Sequence, residues 1–212
     1  MQARVLVVED EPLTRMSLVG ALKQAGLDVV GDAATPADAI RIAETTNPNV
    51  ALLDLHLGSG PTGIDIAQAL RRKDPTIGIV FLTSYSDPRL LNTNLPALPS
   101  GATYLEKKSI DSIEKLQGAI EKSHENRKSG STASAVPTFG NLTATQIDTL
   151  KLVAQGLSNA EIAKRRFVKE KSIEVAISRI AKALGISADQ AQNQRVHIAN
   201  VYFRAIGMNK DA

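Results

Sequence analysis

The sequence has no cysteine among its 212 residues, and it has no long hydrophobic run. Without cysteine, disulfide bonds and thiolate metal sites are excluded. No apolar stretch approaches the ~18 residues that a membrane-spanning helix requires. Residues Met1 to Arg4 lead straight into the first predicted strand, which leaves no room for a signal peptide. We therefore expect a soluble cytoplasmic protein that has no membrane partner.

Charge is unevenly distributed along the chain. Residues 1–126 carry 12 Lys or Arg against 16 Asp or Glu, whereas residues 139–212 carry 11 against 6. An acidic half joined to a basic half is typical of a sensor tied to a nucleic-acid binder. Ordinary scatter also produces an excess of this size, so charge alone leaves the partner open.

The first part of the chain, residues 1–124, predicts a doubly wound α/β domain. Apolar runs alternate with segments of helical periodicity, which indicates a flavodoxin-like, five-stranded parallel sheet. The predicted strands are Val5–Val8, Val29–Val30, Val50–Leu53, Ile79–Thr83 and Tyr104–Lys107. Where the fourth helix is due, Pro88, Pro96 and Pro99 interrupt the pattern. Because proline in a helix interior costs about 3 kcal/mol, we expect at most a short helix there.

Polar side chains stand at the ends of four of these strands. They are Glu9 and Asp10 after the first strand, Asp54 after the third, Thr83 in the fourth and Lys107 in the fifth. Open α/β sheets bind ligands at the carboxyl ends of their strands, so we expect these groups to form one site. A carboxylate takes up a phosphoryl group when the incoming charge is neutralised, and Mg²⁺ held by carboxylates supplies that neutralisation.

Other interpretations of the same residues remain open. A static Mg²⁺ or Ca²⁺ site uses the same oxygen ligands, and a buried ion pair between Lys107 and Asp54 needs no ligand. A small-molecule hydrolase on this sheet requires a general base and a substrate pocket, and the sequence indicates neither.

The second part of the chain, residues 141–212, predicts an all-helical domain that follows a flexible linker at residues 125–140. The linker is small, polar and aperiodic. Periodicity and capping residues predict four helices, of which the second spans Asn159 to Arg166 and the third spans Lys171 to Leu184. Two such helices joined by a tight turn form a helix-turn-helix unit. The fourth helix is capped by Ser187, extends the domain and carries the apolar residues Val196, Ala199, Phe203 and Ile206.

Residues 4–122 resemble the receiver domain of two-component response regulators. The resemblance lies in Val7–Pro12, Leu53–Asp54, Thr83–Ser84 and Gly101–Lys107. It implies that a histidine kinase phosphorylates Asp54. It also implies no enzymatic activity beyond Mg²⁺-dependent self-phosphorylation and autodephosphorylation at this residue.

The receiver resemblance assigns roles to the residues around the phosphoacceptor. It implies that Lys107 pairs with the phosphoryl group and that Thr83 and Tyr104 form a switch pair. Members of the family usually have proline after this lysine, where the chain has Lys108. The implied Mg²⁺ ligands are Glu9, Asp10, Asp54 and the backbone carbonyl of His56.

Residues 141–187 resemble the LuxR-type helix-turn-helix domain of the NarL/FixJ class of response regulators. The resemblance is carried by Gly156–Ala163, Val168–Ile173 and Leu184–Ser187. It implies a homodimer on promoter DNA, with a recognition helix in the major groove. The candidate DNA contacts lie in or beside the third helix and are Lys169, Lys171, Ser172, Glu174, Val175, Ser178, Arg179 and Lys182.

The departures from this second family lie where bases are read. The family commonly has lysine at the position of Glu174 and histidine at that of Ala176. We expect a double-stranded DNA-binding transcriptional regulator controlled by phosphorylation at Asp54. The alternative is a phosphorylation-dependent adaptor whose helical domain binds a protein, and these two departures favour it.

Overall fold

The computed structural model describes residues 2–125, 139–186 and 193–208. The chain forms two compact units. The sheet unit comprises residues 1–83 and 96–135, and the helical unit comprises residues 84–95 and 136–212. Most of the predicted linker and the predicted cap Ser187 lie outside the described residues. No helix in the described ranges combines the length and apolar content that crossing a bilayer requires.

The sheet unit is built on five parallel strands in the order β2-β1-β3-β4-β5. This confirms the predicted flavodoxin-like sheet. The strands are β1 Arg4–Val8, β2 Asp28–Ala33, β3 Val50–Leu53, β4 Gly78–Thr83 and β5 Thr103–Glu106. The helices of this unit are α1 Pro12–Gln24, α2 Pro36–Thr46, α3 Gly63–Lys73 and α4 Ile113–Glu125.

Alternate residues of the central strands face opposite sides of the sheet. These strands are continuously apolar because helices cover both sides. On one side, Val7, Leu52 and Val80 pack with Leu22 of α1 and Ile120 of α4. On the other side, the helices α2 and α3 contact each other. Both faces are therefore covered, and the strand ends are left as the place where polar groups gather.

The start of α3 is held unusually close to the end of β3. The Gly63 N–H donates to the Leu55 carbonyl at 3.0 Å. A Cβ atom at Gly63 would clash with the carbonyl oxygen of Asp54 and would lie 3.2 Å from Leu55 Cα. Thr62 donates through both its N–H and its hydroxyl to Asp65, at 2.7 and 2.8 Å, which fixes the first turn of the helix. Glycine is required at position 63 because helix and strand leave no space for a side chain.

The region between β4 and β5 contains only the 3₁₀ turn Pro88–Leu90 among its regular elements. The predicted loss of the fourth helix is confirmed. Asp87 caps the turn by accepting a hydrogen bond from the Arg89 N–H at 2.9 Å. We call residues 84–95 the crossover segment, because they follow β4 in the chain and belong to the helical unit.

The helical unit contains α5 Ala144–Ala154, α6 Asn159–Arg166, α7 Glu170–Ala183 and α8 Gln194–Ala205. The predicted limits of α6 are confirmed, and α7 begins and ends one residue earlier than predicted. Ser158 caps α6 by accepting from the Glu161 N–H at 3.2 Å. The turn between α6 and α7 begins at Phe167, whose φ of 55° lies in the left-handed region.

The apolar residues of α8 differ in burial. Val196 is 54% exposed, whereas Ile198 and Ala205 are buried in the core. Tyr202 and Ile206 pack partly against the same core. Positions 198, 202 and 205 follow one helical stripe, and Val196 lies off it. The helix is capped by Asn193, which accepts from the Arg195 N–H at 3.0 Å.

The register of α8 gives a matched pair of substitutions. We expect Ile198→Ala to lower the free energy of unfolding by about 2–5 kcal/mol, because it opens a cavity in the helical core. Val196→Ala, on the exposed face two residues earlier, should change it by less than about 0.5 kcal/mol. Urea unfolding of both variants followed by circular dichroism measures this, and equal losses would contradict the observed register.

The close approach of α3 to β3 at Gly63 is tested by a second matched pair of substitutions. Gly63→Ala should cost at least about 1–3 kcal/mol, because the added methyl group overlaps the Asp54 backbone. Gly118→Ala, where a Cβ meets nothing within 4 Å, should instead stabilise α4 by about 0.4–1 kcal/mol. Thermal unfolding of the two variants distinguishes them, and a neutral Gly63→Ala would show that α3 can move away from β3.

Candidate phosphoacceptor site and candidate nucleic-acid interface

The polar residues at the strand ends of the sheet unit meet at the point where the sheet reverses its winding. Glu9 and Asp10 follow β1, and Asp54 follows the neighbouring strand β3. The helix after β1 lies on one face and the helix after β3 lies on the other. The carboxyl ends of two strands whose connections diverge in this way leave a crevice that serves as a ligand site.

Lys107 bridges two carboxylates in this crevice. Its Nζ lies 2.8 Å from Asp54 Oδ2 and 2.7 Å from Glu9 Oε2. The side chains of Glu9 and Asp54 are only 3% and 9% exposed. Two carboxylates at this depth repel each other, and the shared ammonium group offsets the repulsion. The predicted ion pair between Lys107 and Asp54 is therefore present, and Glu9 is a third member.

The pKa shifts reflect the same geometry. Burial raises the pKa of Glu9 and outweighs the hydrogen bond from Lys107, which lowers it. Burial by itself lowers the pKa of Lys107, but its hydrogen bonds to Asp54 and Glu9 raise the pKa more, so the net shift is upward. The ammonium group therefore stays charged at neutral pH and can pair with an anion at Asp54.

The three carboxylates of the site could hold a metal ion. Glu9, Asp10 and Asp54 each offer an oxygen, and these atoms lie within 4.8 Å of one another. Asp10 is exposed to solvent, so the cluster is accessible from outside. An all-oxygen, carboxylate-rich set suits a hard divalent cation. The His56 N–H lies 3.3 Å from Asp54 Oδ1, and the predicted metal role of its carbonyl stays a prediction.

The two predicted switch residues lie on the neighbouring strands. Thr83 is the last residue of β4 and is fully buried. Tyr104 lies on β5, is half-buried, and packs its ring against Phe81 with centroids 6.4 Å apart. Their roles stay predictions, but both are adjacent to the strand ends that hold Asp54 and Lys107.

Sequence reasoning missed two residues that position the site. Arg15 donates to the backbone carbonyls of Glu9 at 2.7 Å and Asp10 at 3.4 Å, and to Asp32 Oδ2 at 3.1 Å. It therefore fixes the loop that carries the acids. Gly63 permits the close approach of α3 to Asp54. Neither residue has a sequence signal, because each role depends on a tertiary contact.

The outer face of α7 carries the candidate DNA contacts. Its buried stripe is formed by Ile173, Ile177 and Ile180. All eight predicted contacts lie off this stripe and are exposed: Lys169, Lys171, Ser172, Glu174, Val175, Ser178, Arg179 and Lys182. The face is polar and rich in cations, as a helix that enters a DNA groove needs to be.

One ion pair modifies this face. Lys171 Nζ lies 2.9 Å from Glu174 Oε2, and the hydrogen bond raises the pKa of Lys171. The pair is exposed and adds little stability, but it reduces the positive charge at the centre of the face. Arg166 of the neighbouring helix α6 donates to the Thr145 carbonyl at 2.7 Å and to the Thr149 hydroxyl.

Two family models match the chain. The response regulator receiver domain matches residues 5–121. The luxR family of bacterial regulatory proteins matches residues 140–193.

Several curated proteins are similar over most of their length. The DNA-binding transcriptional activator DevR/DosR of Mycobacterium tuberculosis is 31% identical, over 86% of this chain and 88% of the relative. The transcriptional regulatory protein LiaR of Bacillus subtilis is 29% identical, over 93% and 99%. The nitrate/nitrite response regulator protein NarP of Escherichia coli is 31% identical, over 86% and 89%.

A solved structure of the two-component response regulator RcsB with DNA has the same fold. The TM-score is 0.58 at 19% identity, and the match covers 97% of this chain and all of the other. The receiver model alone spans more than half of the chain, and the luxR model follows it. The chain belongs to the response regulators that join a receiver domain to a LuxR-type helix-turn-helix domain.

Proposed function

We propose that a histidine kinase phosphorylates this regulator on Asp54 and that the phosphorylated form binds promoter DNA as a dimer in the cytoplasm. The proposed receiver domain spans 1–124, the linker 125–140 and the DNA-binding domain 141–212. The observation that carries the proposal is the position of Lys107, whose ammonium group contacts Asp54 at 2.8 Å. A charged donor at this place neutralises a phosphoryl group on the carboxylate.

Each residue of the site would have a separate role in phosphoryl transfer. Bound Mg²⁺, held by Glu9, Asp10, Asp54 and the His56 carbonyl, would neutralise charge on the transferred group. Asp54 supplies the carboxylate oxygen that forms the bond to phosphorus, while the bond to the donor's leaving group breaks. Lys107 then pairs with a phosphoryl oxygen. Hydrolysis of the acyl phosphate by water returns Asp54 and releases phosphate.

We propose that Thr83 and Tyr104 report the phosphorylated state. The Thr83 hydroxyl is buried at the end of β4, beside β3, which carries Asp54 at its end. It would donate a hydrogen bond to the phosphoryl group and move toward it. Tyr104 is half-buried on the next strand, and its ring would turn inward when Thr83 moves.

We propose that α7 is the helix that recognises DNA. Its exposed face has Lys171, Arg179 and Lys182 available for phosphates and Ser178 for base edges. The relative DevR/DosR is described as a DNA-binding transcriptional activator, which supports the same role here. Glu174 can accept a hydrogen bond from a cytosine amino group, at the cost of weaker attraction to phosphates.

A second candidate function is an adaptor that binds a protein through the same unit. Phe167 is 96% exposed in the turn before α7, and Val168 and Val175 are also exposed. An apolar group of this kind favours contact with a protein surface. The cations of α7 favour DNA, and reversal of their charge separates the two functions.

The phosphoacceptor role is tested by phosphoryl uptake. After incubation with acetyl phosphate and Mg²⁺, Asp54→Asn should show no gain of a phosphoryl group by intact-mass spectrometry. Asp111→Asn removes a carboxylate that is 81% exposed and lies on the α4 side of the unit, and it should be phosphorylated like the wild type. Equal uptake by Asp54→Asn would place the phosphoryl group elsewhere.

The output is tested by reversing charge on α7. The double variant Lys171→Glu, Arg179→Glu should bind DNA at least about tenfold more weakly, with a salt slope smaller by about 0.9 for each DNA phosphate that the variant no longer neutralises. Lys23→Glu, Lys122→Glu makes the same change in net charge at exposed positions of the sheet unit. Fluorescence anisotropy across a salt series measures both. Equal binding by the two double variants would contradict a DNA role and favour the adaptor.

A further inference from the structure

The short segment between β1 and α1 carries two of the three acids of the site, and Arg15 of α1 holds its backbone. The Arg15 Nη1 donates to the Glu9 carbonyl at 2.7 Å and to the Asp10 carbonyl at 3.4 Å. These carbonyls belong to the two planar peptide units that flank Asp10, so the contact restrains both. The bonds go to the backbone, and the carboxylates of the same residues lie together with that of Asp54.

Asp32 orients the Arg15 side chain toward these carbonyls. The Arg15 Nε lies 3.1 Å from Asp32 Oδ2, on the strand β2 that pairs with β1. The guanidinium group is planar and rigid, so a contact at Nε fixes the direction in which Nη1 points. The ion pair itself adds little stability, because the Asp32 side chain is 48% exposed. Its effect is therefore one of orientation.

Asp10 is the acid of the site that depends most on its backbone. Lys107 bridges the carboxylates of Glu9 and Asp54 at 2.7 and 2.8 Å, whereas Asp10 is exposed to solvent. A hard divalent cation requires its oxygen ligands at short and well-defined distances. A loop that is held in position before the cation arrives loses less conformational entropy on binding. The restraint by Arg15 therefore favours the cation.

We propose that Arg15, oriented by Asp32, is a positioning residue for a divalent cation held by Glu9, Asp10 and Asp54. This inference rests on the proposed phosphoacceptor function. Arg15 acts through the backbone of the loop and needs no contact with the cation. Its own positive charge repels a cation, so the positioning effect and the charge change the affinity in opposite directions.

The affinity for Mg²⁺ decides between the two effects. Arg15→Met removes the charge and the hydrogen bonds but keeps a long side chain on α1. We expect the dissociation constant for Mg²⁺ to rise about tenfold or more, as is usual when a group that positions metal ligands is lost. An unchanged or lower dissociation constant would overturn the proposal. NMR titration of the full-length chain with MgCl₂, followed at the amides of Glu9, Asp10 and Asp54, measures it.

Two further variants serve as controls for charge and for folding. Lys23→Met removes an exposed cation from the same helix and should bind Mg²⁺ like the wild type. Arg15→Lys keeps the charge but lacks the planar fork, so it should also bind Mg²⁺ more weakly. Circular dichroism verifies the fold of each variant, and Arg15→Lys decides the question if Arg15→Met does not fold. Wild-type affinity in Arg15→Lys would contradict the proposal.

The role of Asp32 is tested by combining substitutions. If Asp32 acts by orienting Arg15, Asp32→Asn should weaken Mg²⁺ binding several-fold in the wild-type background and much less in the Arg15→Met background. Equal losses in the two backgrounds would show that Asp32 acts through its charge alone, and would overturn its part in the proposal.

Phosphoryl uptake separates this proposal from the proposed function. At saturating Mg²⁺, Arg15→Met should take up a phosphoryl group from acetyl phosphate at nearly the wild-type rate, because Asp54 and Lys107 are unchanged. At low Mg²⁺ its uptake should be slower. A rate that stays low at saturating Mg²⁺ would contradict a role in positioning the cation. If the wild-type chain binds no Mg²⁺, or if Asp54→Asn is phosphorylated equally, the proposed function fails and the role of Arg15 falls with it.

Discussion

The structure of the site depends on one ammonium group shared by two buried carboxylates. Lys107 contacts Glu9 and Asp54 at 2.7 and 2.8 Å, and without it two nearly buried anions would face each other. The arrangement holds the site ready while it is unphosphorylated. It also supplies the charge that a phosphoryl group on Asp54 requires, because Lys107 can exchange a carboxylate oxygen for a phosphoryl oxygen without moving far. The contact between Lys107 and Asp54 therefore stabilises the site and also serves the proposed chemistry.

The polar residues of this site could be predicted because parallel topology leaves few alternatives. Buried parallel strands are apolar along their length, so a carboxylate or a lysine in such a run must lie near its end. Glu9, Asp54 and Lys107 follow that rule. Arg15 and Gly63 could not be predicted, because their roles arise from the approach of α1 and α3 to the strand ends, and local sequence does not encode such distances.

Two features of the helical unit could not be predicted from the sequence, namely the buried face of α8 and the position of Leu90 in the core. The α8 segment contains apolar residues on more than one side, so periodicity alone did not decide between Val196 and Ile198. The prolines after β4 correctly predicted a broken helix, but they carry no information about which core accepts Leu90. That choice depends on the space between α5 and α8 and on the carbonyls that Arg89 reaches. The segment that follows β4 therefore belongs to the helical unit.

The central claim is that phosphorylation of Asp54 controls recognition of DNA by the helical unit. The most direct measurement is a binding selection from sheared genomic DNA at near-physiological salt, with and without Mg²⁺ and beryllofluoride. We expect enrichment of an inverted repeat that is stronger when the mimic is present. Equal enrichment in both conditions, or the recovery of no specific sequence, would contradict control of DNA recognition by Asp54.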